Sequence, residues 1–159
     1  MSEISSTFIP SILNHTLNVH AHNLSSGLDD VILRRLRDEV GNKCTKDGYI
    51  KGDSIAITKR TIGRVNSSHL DGSLSFDLTY KADVCNPIKG QIIECEVMSL
   101  NKMGILAETH PLSIVLARQH QEDKDDFDDI KVGQTIRAKV VGKRFELNDE
   151  QITTIGSLV

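Results

Sequence analysis

The side chains that could do chemistry in this 159-residue chain are three cysteines, six histidines and one run of acidic residues. Cys44, Cys85 and Cys95 show no CxxC spacing, and no histidine stands at a ligand spacing from them, so no metal site is predicted. An odd number of cysteines without a secretory leader predicts free thiols in a reducing, intracellular compartment. No cofactor is predicted, because no glycine-rich phosphate loop stands between a strand and a helix.

The acidic run "EDKDDFDD", residues 122–129, holds six carboxylates. We interpret it as a solvated loop, where the carboxylates lack the burial that would separate their pKa values for acid–base catalysis. The alternative is a binding segment for a basic partner or a metal, although no ligand spacing supports the metal. The histidines have no nucleophile signature beside them. The sequence therefore predicts a protein that is not an enzyme.

Composition limits which partners the chain can bind. Aromatic residues make up only 4% and tryptophan is absent, so few rings are available for base stacking. The net charge of −3 means that any nucleic-acid contact depends on a local basic patch. Outside the acidic run, residues 84–159 hold eight basic and six acidic side chains. No apolar stretch approaches the length of a membrane span, so no membrane partner is predicted.

A helix with clear end signals is predicted in "NLSSGLDDVILRRLRDEVG". Ser25 or Ser26 is the predicted N-cap, Asp29 and Asp30 favour the first turn, and Gly41 ends the helix. Its apolar positions fall on one face: Leu28, Val31, Ile32, Leu36 and Val40. We expect this face to pack on a sheet.

The sheet is predicted from the flanking segments. Residues 8–19 are extended, and "DGYIKGDSIAITKRTIGRV" supplies a strand pair. In "GSLSFDLTYKADV" the apolar residues alternate with polar ones, as in a half-buried strand: Leu74, Phe76, Leu78 and Tyr80. One helix on a small antiparallel sheet is an α+β unit.

The chain divides near Asn86-Pro87, which gives predicted domains of residues 1–83 and 84–159. The second domain shows no helical period and reads as five strands: Gly90–Leu100, Gly104–Glu108, Leu112–Ala117, Thr135–Val141 and Gln151–Leu158. Five short strands with a glycine in the first turn fit a small closed barrel. The OB-fold is the commonest such barrel, and an SH3-like barrel has a similar number of strands.

Four stretches, in order along nearly the whole chain, resemble one protein family: "GNKCTKDGYI", "LTYKADVCNPIKGQIIECEVMSLNKMGILAE", "PLSIVLAR" and "GQTIRAKVVGKRFELNDEQITTIGSL". The chain resembles the larger, seventh-subunit-type stalk subunit of archaeal, eukaryotic and large-DNA-virus DNA-directed RNA polymerases. The resemblance implies an N-terminal tip domain (one helix on a small antiparallel sheet) followed by a five-stranded OB-fold barrel of the ribosomal-protein S-one type. It also implies a non-catalytic subunit.

The resemblance implies that the barrel meets nascent single-stranded RNA. The residues expected on or beside its open face are Lys102, Met103, Ile105, Arg118, His120, Lys139, Lys143 and Arg144. Lysine and arginine can pair with phosphates, and apolar side chains can lie under bases. Because Met103 and Ile105 stand where such barrels often place an aromatic residue, we expect weak, salt-sensitive, sequence-tolerant binding. The alternative is that the basic residues only solubilise a barrel used for protein contact.

The resemblance also implies that the tip domain docks on the polymerase core subunits, with a small helical stalk partner beside both domains. The loop of residues 58–73 has little to bury, and Ile62, Gly63 and Arg64 are its best docking candidates. Gly48 and Tyr49 are the second choice, with a core tyrosine as the alternative. The protein would then lie in the nucleus of a eukaryote or, if it is viral, in the virion or a cytoplasmic factory. The rival function is a free-standing S-one-type RNA-binding factor of translation or RNA decay.

Overall fold

The computed structural model describes residues 7–24, 27–66, 71–121 and 125–159. Within these ranges the chain forms eleven strands and two α-helices, and no helix is long and apolar enough to cross a membrane. In chain order the elements are β1 (Ile9–Val19), α1 (Leu28–Val40), β2 (Lys43–Thr45), β3 (Gly48–Ile50), β4 (Ala56–Arg60), β5 (Arg64–Val65), β6 (Leu74–Cys85), β7 (Ile92–Asn101), β8 (Gly104–Thr109), β9 (Leu112–Ala117), α2 (Asp125–Asp128), β10 (Thr135–Arg144) and β11 (Ile152–Leu158).

The chain forms two compact units. One comprises Ile9–Asn42 and Ile50–Val84, and we call it the helix–sheet unit. The other is the barrel unit, which comprises Met1–Phe8, Lys43–Tyr49 and Cys85–Val159. The hairpin of β2 and the start of β3 is tied to the barrel unit by backbone hydrogen bonds: the amide of Cys44 donates to Asp149 O, and the amide of Asn148 donates to Cys44 O. The domain boundary after residue 83 stays a prediction.

In the helix–sheet unit, α1 packs on the sheet as predicted. Its buried positions Ile32, Leu36 and Val40 recur at helical spacing and join one apolar core with residues of β1 and β6. Asp29 and Asp30 lie in the first turn, and Gly41 ends the helix. The predicted N-cap is wrong, because the N-cap is Gly27; Ser25 and Ser26 lie outside the described residues.

The sheet of this unit is built around β6. Strand β1 pairs antiparallel along the length of β6, from Ile9↔Val84 to Val19↔Leu74, while β4 and β5 pair with β6 as well. The predicted alternation of β6 is confirmed, since Phe76, Leu78 and Tyr80 are buried and Leu74 is half-buried. A strand with one buried and one solvated face alternates in this way.

In the barrel unit, five strands close into a barrel in the order β10-β11-β9-β8-β7. All five predicted strands are present, and their ends differ from the prediction by at most three residues. The interior is aliphatic, as a chain with so few aromatic residues requires: Ile93, Val97, Ile105, Ile114, Leu116, Ile136, Val140 and Ile152 are among the buried residues. The α+β fold class, a helix on a sheet followed by a five-stranded barrel, is confirmed.

The connection between β9 and β10 differs from the predicted strand-only structure. The acidic run contains the single-turn helix α2, and Phe127, inside the run, is buried with the following Ile130 in the barrel core. The prediction of a loop solvated throughout is therefore wrong for the described part of the run, although Asp128 and Asp129 are exposed. An apolar side chain inside a charged run is buried when a hydrophobic core lies within its reach, because the burial of its apolar surface is favourable.

Candidate nucleic-acid interface

The turn between β7 and β8 is held by local contacts that leave two side chains in solvent. Asn101 Oδ1 accepts hydrogen bonds from the amides of Met103 (2.9 Å) and Gly104 (2.8 Å). A Cβ on Gly104 would lie 2.4 Å from the backbone oxygen of Leu116, so only glycine fits against β9 here. Lys102 is exposed at the tip of this turn, and Met103 is 79% exposed.

Two shallow pockets flank Met103, and we call them the turn pockets. The first has a volume of about 340 Å³ and is lined by Lys102, Met103, Ala117, Arg118 and Gln119. The second has a volume of about 290 Å³ and is lined mainly by apolar residues: Asn101, Met103, Gly104, Ile105, Leu106, Val115 and Ala117. An apolar floor beside two cations can accept a base and its phosphate.

The prediction that Ile105 belongs to the exposed face is wrong. Its side chain is 1% exposed and lies in the barrel core, where it pairs across the sheet with Leu116. Successive side chains of a strand point to opposite faces, so the residues before and after it, Gly104 and Leu106, face outward.

An outward aliphatic row crosses three strands beside the turn pockets, and the sequence reasoning missed it. Leu106 on β8 pairs with Val115 on β9, which pairs in turn with Ile155 on β11. We call these three residues the aliphatic row. The sequence contains a sign of this row: "ILA" and "IVL" are apolar at three consecutive positions, whereas a strand with one solvated face alternates apolar and polar residues.

The predicted basic residues of β10 lie outside the two turn pockets. Strand β11 runs parallel to β9, which ends beside the β7–β8 turn at Ala117. Lys139 pairs with Ser157 near the end of β11 and with Ile92 at the start of β7. Lys143 and Arg144 pair with the start of β11, away from the turn. The structure therefore brings Lys102 and Arg118 together at the first turn pocket, whereas Lys139, Lys143 and Arg144 lie on β10, which lines neither turn pocket.

The two distant basic residues have partners within the barrel unit. Lys143 Nζ donates a hydrogen bond to Asn86 Oδ1, and Arg144 Nη2 lies 3.7 Å from Glu146 Oε1. Both residues are exposed. These contacts make them less available to a ligand than Lys102 and Lys139, neither of which has an acidic partner among the described residues.

Arg118 is engaged by the acidic connection. Its Nη2 lies 2.5 Å from Asp128 Oδ1, and its guanidinium carbon lies 5.8 Å from the centre of the Phe127 ring. Its amide donates to Met103 O (3.0 Å), which joins the end of β9 to the turn. The side chain of His120 lies outside the described part of the structure, so its predicted RNA contact stays a prediction.

The predicted docking loop of the helix–sheet unit exposes apolar side chains. Ile62 is 87% exposed, and Val65, which the sequence reasoning did not name, is also exposed. Gly63 lies against the ring of Phe76, where a Cβ would come within 2.8 Å of Cζ. Arg64 Nη2 lies 2.5 Å from Asp77 Oδ2, so its charge is paired. The loop therefore presents two apolar side chains on a supported backbone.

The second-choice docking residues are buried, which contradicts their prediction as a docking surface. Gly48 is buried, and Tyr49 is 3% exposed within the barrel unit. The Tyr49 hydroxyl and His110 Nε2 share a hydrogen bond of 3.2 Å, and burial raises the pKa of the tyrosine. The alternative of a core tyrosine is confirmed.

The three cysteines are buried free thiols in the barrel unit. Burial raises the pKa of Cys85 to about 12 and the pKa values of Cys44 and Cys95 to about 11, with the charge of Asp149 adding to the effect at Cys44. They are therefore protonated near pH 7 and poor nucleophiles. In the described ranges, no group of three or more histidine, cysteine or acidic residues could hold a metal ion.

Comparison with known proteins agrees with this geometry. Residues 86–148 match the family model of the S1 RNA binding domain. The chain is 25% identical over 167 residues to the DNA-directed RNA polymerase II subunit RPB7 of Glycine max, covering 95% of this chain and 92% of the relative. It is 30% identical over 116 residues to the corresponding subunit of Dictyostelium discoideum, covering 70% and 64%.

A viral relative is also similar over nearly the whole chain. A DNA-directed RNA polymerase subunit of Acanthamoeba polyphaga mimivirus is 19% identical over 166 residues, covering 97% of this chain and 83% of the relative. The similarity thus spans both units and includes cellular and viral polymerases. The chain is thus similar over nearly its whole length to subunit 7 of DNA-directed RNA polymerase II and to a viral polymerase subunit, and its second half matches the S1 RNA binding domain.

Proposed function

We propose that this protein is the non-catalytic stalk subunit of a multisubunit DNA-directed RNA polymerase. Its helix–sheet unit docks on the polymerase core, a small helical partner packs beside it, and its barrel contacts nascent single-stranded RNA weakly during transcription. The observation that carries the proposal is the similarity to polymerase subunits over 95% of the chain, which extends through both units. An intracellular location, in a nucleus or a viral factory, follows from the same relationship.

The turn pockets and the aliphatic row support RNA as the ligand of the barrel. Lys102 and Lys139 supply cations for phosphates, while Met103 and the aliphatic row supply an apolar surface for bases. Stacking on an aromatic ring is worth about 1–3 kcal/mol per base, and aliphatic side chains give less. Each phosphate neutralised on a single strand contributes about −0.7 to the slope of log K against log salt concentration. Binding is therefore weak, sequence-tolerant and salt-sensitive.

The exposed loop of the helix–sheet unit supports docking on protein. Ile62 and Val65 offer apolar area, and Arg64 is already paired with Asp77 and adds little net charge. Apolar side chains at the centre of a contact contribute most of the binding energy of protein interfaces, whereas exposed paired charges contribute little. Ile62 is the residue of this loop on which docking depends most.

The test is purification of the tagged protein from its native source, with the co-purifying chains identified and quantified by mass spectrometry. We expect the large catalytic polymerase subunits in equal ratio to the tagged chain, together with one small subunit. Recovery of the chain alone, or with ribosomal or nuclease components, would overturn the proposal. That outcome would favour a free-standing S1-type RNA-binding factor of translation or RNA decay.

A further inference from the structure

Arg118 stands at the rim of a turn pocket but is already bound to a carboxylate. It lines the first pocket together with Lys102 and Met103, and its Nη2 lies 2.5 Å from Asp128 Oδ1. A guanidinium binds carboxylate and phosphate oxygens through the same donors. Asp128 therefore occupies one of the Arg118 donors that a phosphate of bound RNA could use.

Asp128 is held in place by buried neighbours on both sides of its connection. Phe127 and Ile130 are buried in the barrel core, and Phe127 also lies beneath the Arg118 guanidinium. Before the acidic run, Gln121 is buried: its Oε1 accepts from the amide of Leu158 (2.7 Å), and its Nε2 donates to Ala117 O (3.3 Å). The described part of this connection is thus anchored in the barrel, and its carboxylate is presented to Arg118 by the fold.

The ion pair is open to solvent and can be displaced. The Arg118 side chain is 37% exposed and that of Asp128 is 66% exposed. Exposed ion pairs are weak because water and salt screen them, so an incoming phosphate can compete for the guanidinium. A competitor of this kind lowers the affinity for RNA without abolishing it.

We propose that Asp128 is an intramolecular competitor of RNA phosphate for Arg118, and that this pair sets the strength of RNA binding at the turn pockets. The inference rests on the proposed RNA contact of the barrel. On this inference the acidic connection limits the affinity for RNA. With Asp128 in place, Arg118 contributes little to that affinity, and without Asp128 it becomes an additional phosphate contact. The result is a barrel that releases RNA readily.

The experiment measures binding of a fluorescent 12-nucleotide oligouridylate by anisotropy at several salt concentrations, using the full chain. We expect Asp128→Asn to tighten binding about 3–10-fold and to steepen the salt slope by about 0.7, the effect of one added phosphate contact. Asp129→Asn is the matched control, because it removes the same charge from an exposed neighbour without an ion pair in the described structure. We expect a change of less than about twofold for this control.

The double variant separates a specific competition from a general loss of negative charge. We expect Arg118→Gln to remove the whole gain of Asp128→Asn in the double variant. Equal effects of Asp128→Asn and Asp129→Asn, or a gain that survives Arg118→Gln, would overturn the inference. If Asp128→Asn lacks a cooperative melting transition, Asp128→Ser replaces it under the same criteria.

Lys139→Glu keeps the two proposals distinguishable. If Lys139→Glu weakens binding while Asp128→Asn behaves like its control, the RNA contact stands and the competition is overturned. If the wild-type chain shows no salt-dependent binding and Lys139→Glu changes nothing, the RNA contact itself is overturned, and the inference that rests on it is overturned with it.

Discussion

The two units of the molecule expose different chemistry. The barrel presents exposed cations and an outward aliphatic surface, and neither Lys102 nor Lys139 has an acidic partner among the described residues. The exposed loop of the helix–sheet unit presents Ile62 and Val65, and its one arginine is paired with Asp77. The first surface suits a flexible polyanion with apolar bases, and the second suits a protein. This difference in exposed chemistry fits the proposed division of RNA contact and protein docking between the two units.

The largest expected effect separates two isoleucines of the same chain. We expect Ile105→Ala to lower the free energy of unfolding by about 2–5 kcal/mol, because it leaves a cavity in the barrel core. Ile62→Ala should change it by less than about 0.5 kcal/mol, because that side chain is already in water. Urea denaturation followed by circular dichroism measures both. Equal losses of unfolding free energy for the two variants would contradict the placement of Ile105 in the barrel core and of Ile62 in an exposed loop.

A smaller effect is expected on RNA affinity when the charge of a single exposed lysine of the barrel is reversed. Lys139→Glu and Lys102→Glu should each weaken binding of single-stranded RNA about 3–10-fold and reduce the magnitude of the salt slope by about 0.7. Lys131→Glu, which reverses an exposed charge elsewhere on the barrel, is the control. Anisotropy titration at two salt concentrations gives both quantities. If all three variants lose affinity equally, net charge alone governs the contact.

The smallest effect concerns alkaline stability, which depends on the barrel unit because it holds all three cysteines. The pKa of Cys85 is raised from 9.0 to about 12, so the native state keeps a proton that the unfolded chain loses above pH 9. Stability is therefore fully present below pH 9 and declines as pH rises toward 12. We expect Cys85→Ala to show a shallower decline between pH 8 and 10.5 in urea denaturation. An unchanged decline would show that Cys85 does not contribute.

Periodicity and end signals predicted the elements of the fold, because they are set locally. The α1 helix and the five barrel strands follow from spacing in the chain. The orientation of Ile105 was mispredicted because "GIL" is apolar on both faces, and only pairing with β7 and β9 determines which residue points inward. The burial of Phe127 depends on tertiary contacts that a charged run does not reveal.

The candidate site was predictable in part for the same reason. Lys102 and Met103 are exposed at the β7–β8 turn, and Lys139 is exposed on β10. The separation of Lys143 and Arg144 follows from the register of β10 and β11, and the pairing of Arg118 with Asp128 follows from the path of the connection after β9. Neither can be read from composition. The outward position of the aliphatic row likewise required the pairing of three strands.

The most direct test of the proposal that docking and RNA contact belong to separate units compares two variants in two assays. Tagged Ile62→Asp and Lys139→Glu chains are expressed in the native source, and each is assayed for co-purifying catalytic polymerase subunits and for RNA binding in isolation. Ile12→Asp, which changes another exposed isoleucine of the helix–sheet unit, is the matched control.

We predict that Ile62→Asp loses at least about 90% of the co-purifying polymerase and retains RNA binding, because an anchor residue can contribute over 1.4 kcal/mol of binding energy. Lys139→Glu should do the reverse. Loss of both activities in either variant, or loss of polymerase in Lys139→Glu alone, would contradict the assignment of docking and RNA contact to separate units.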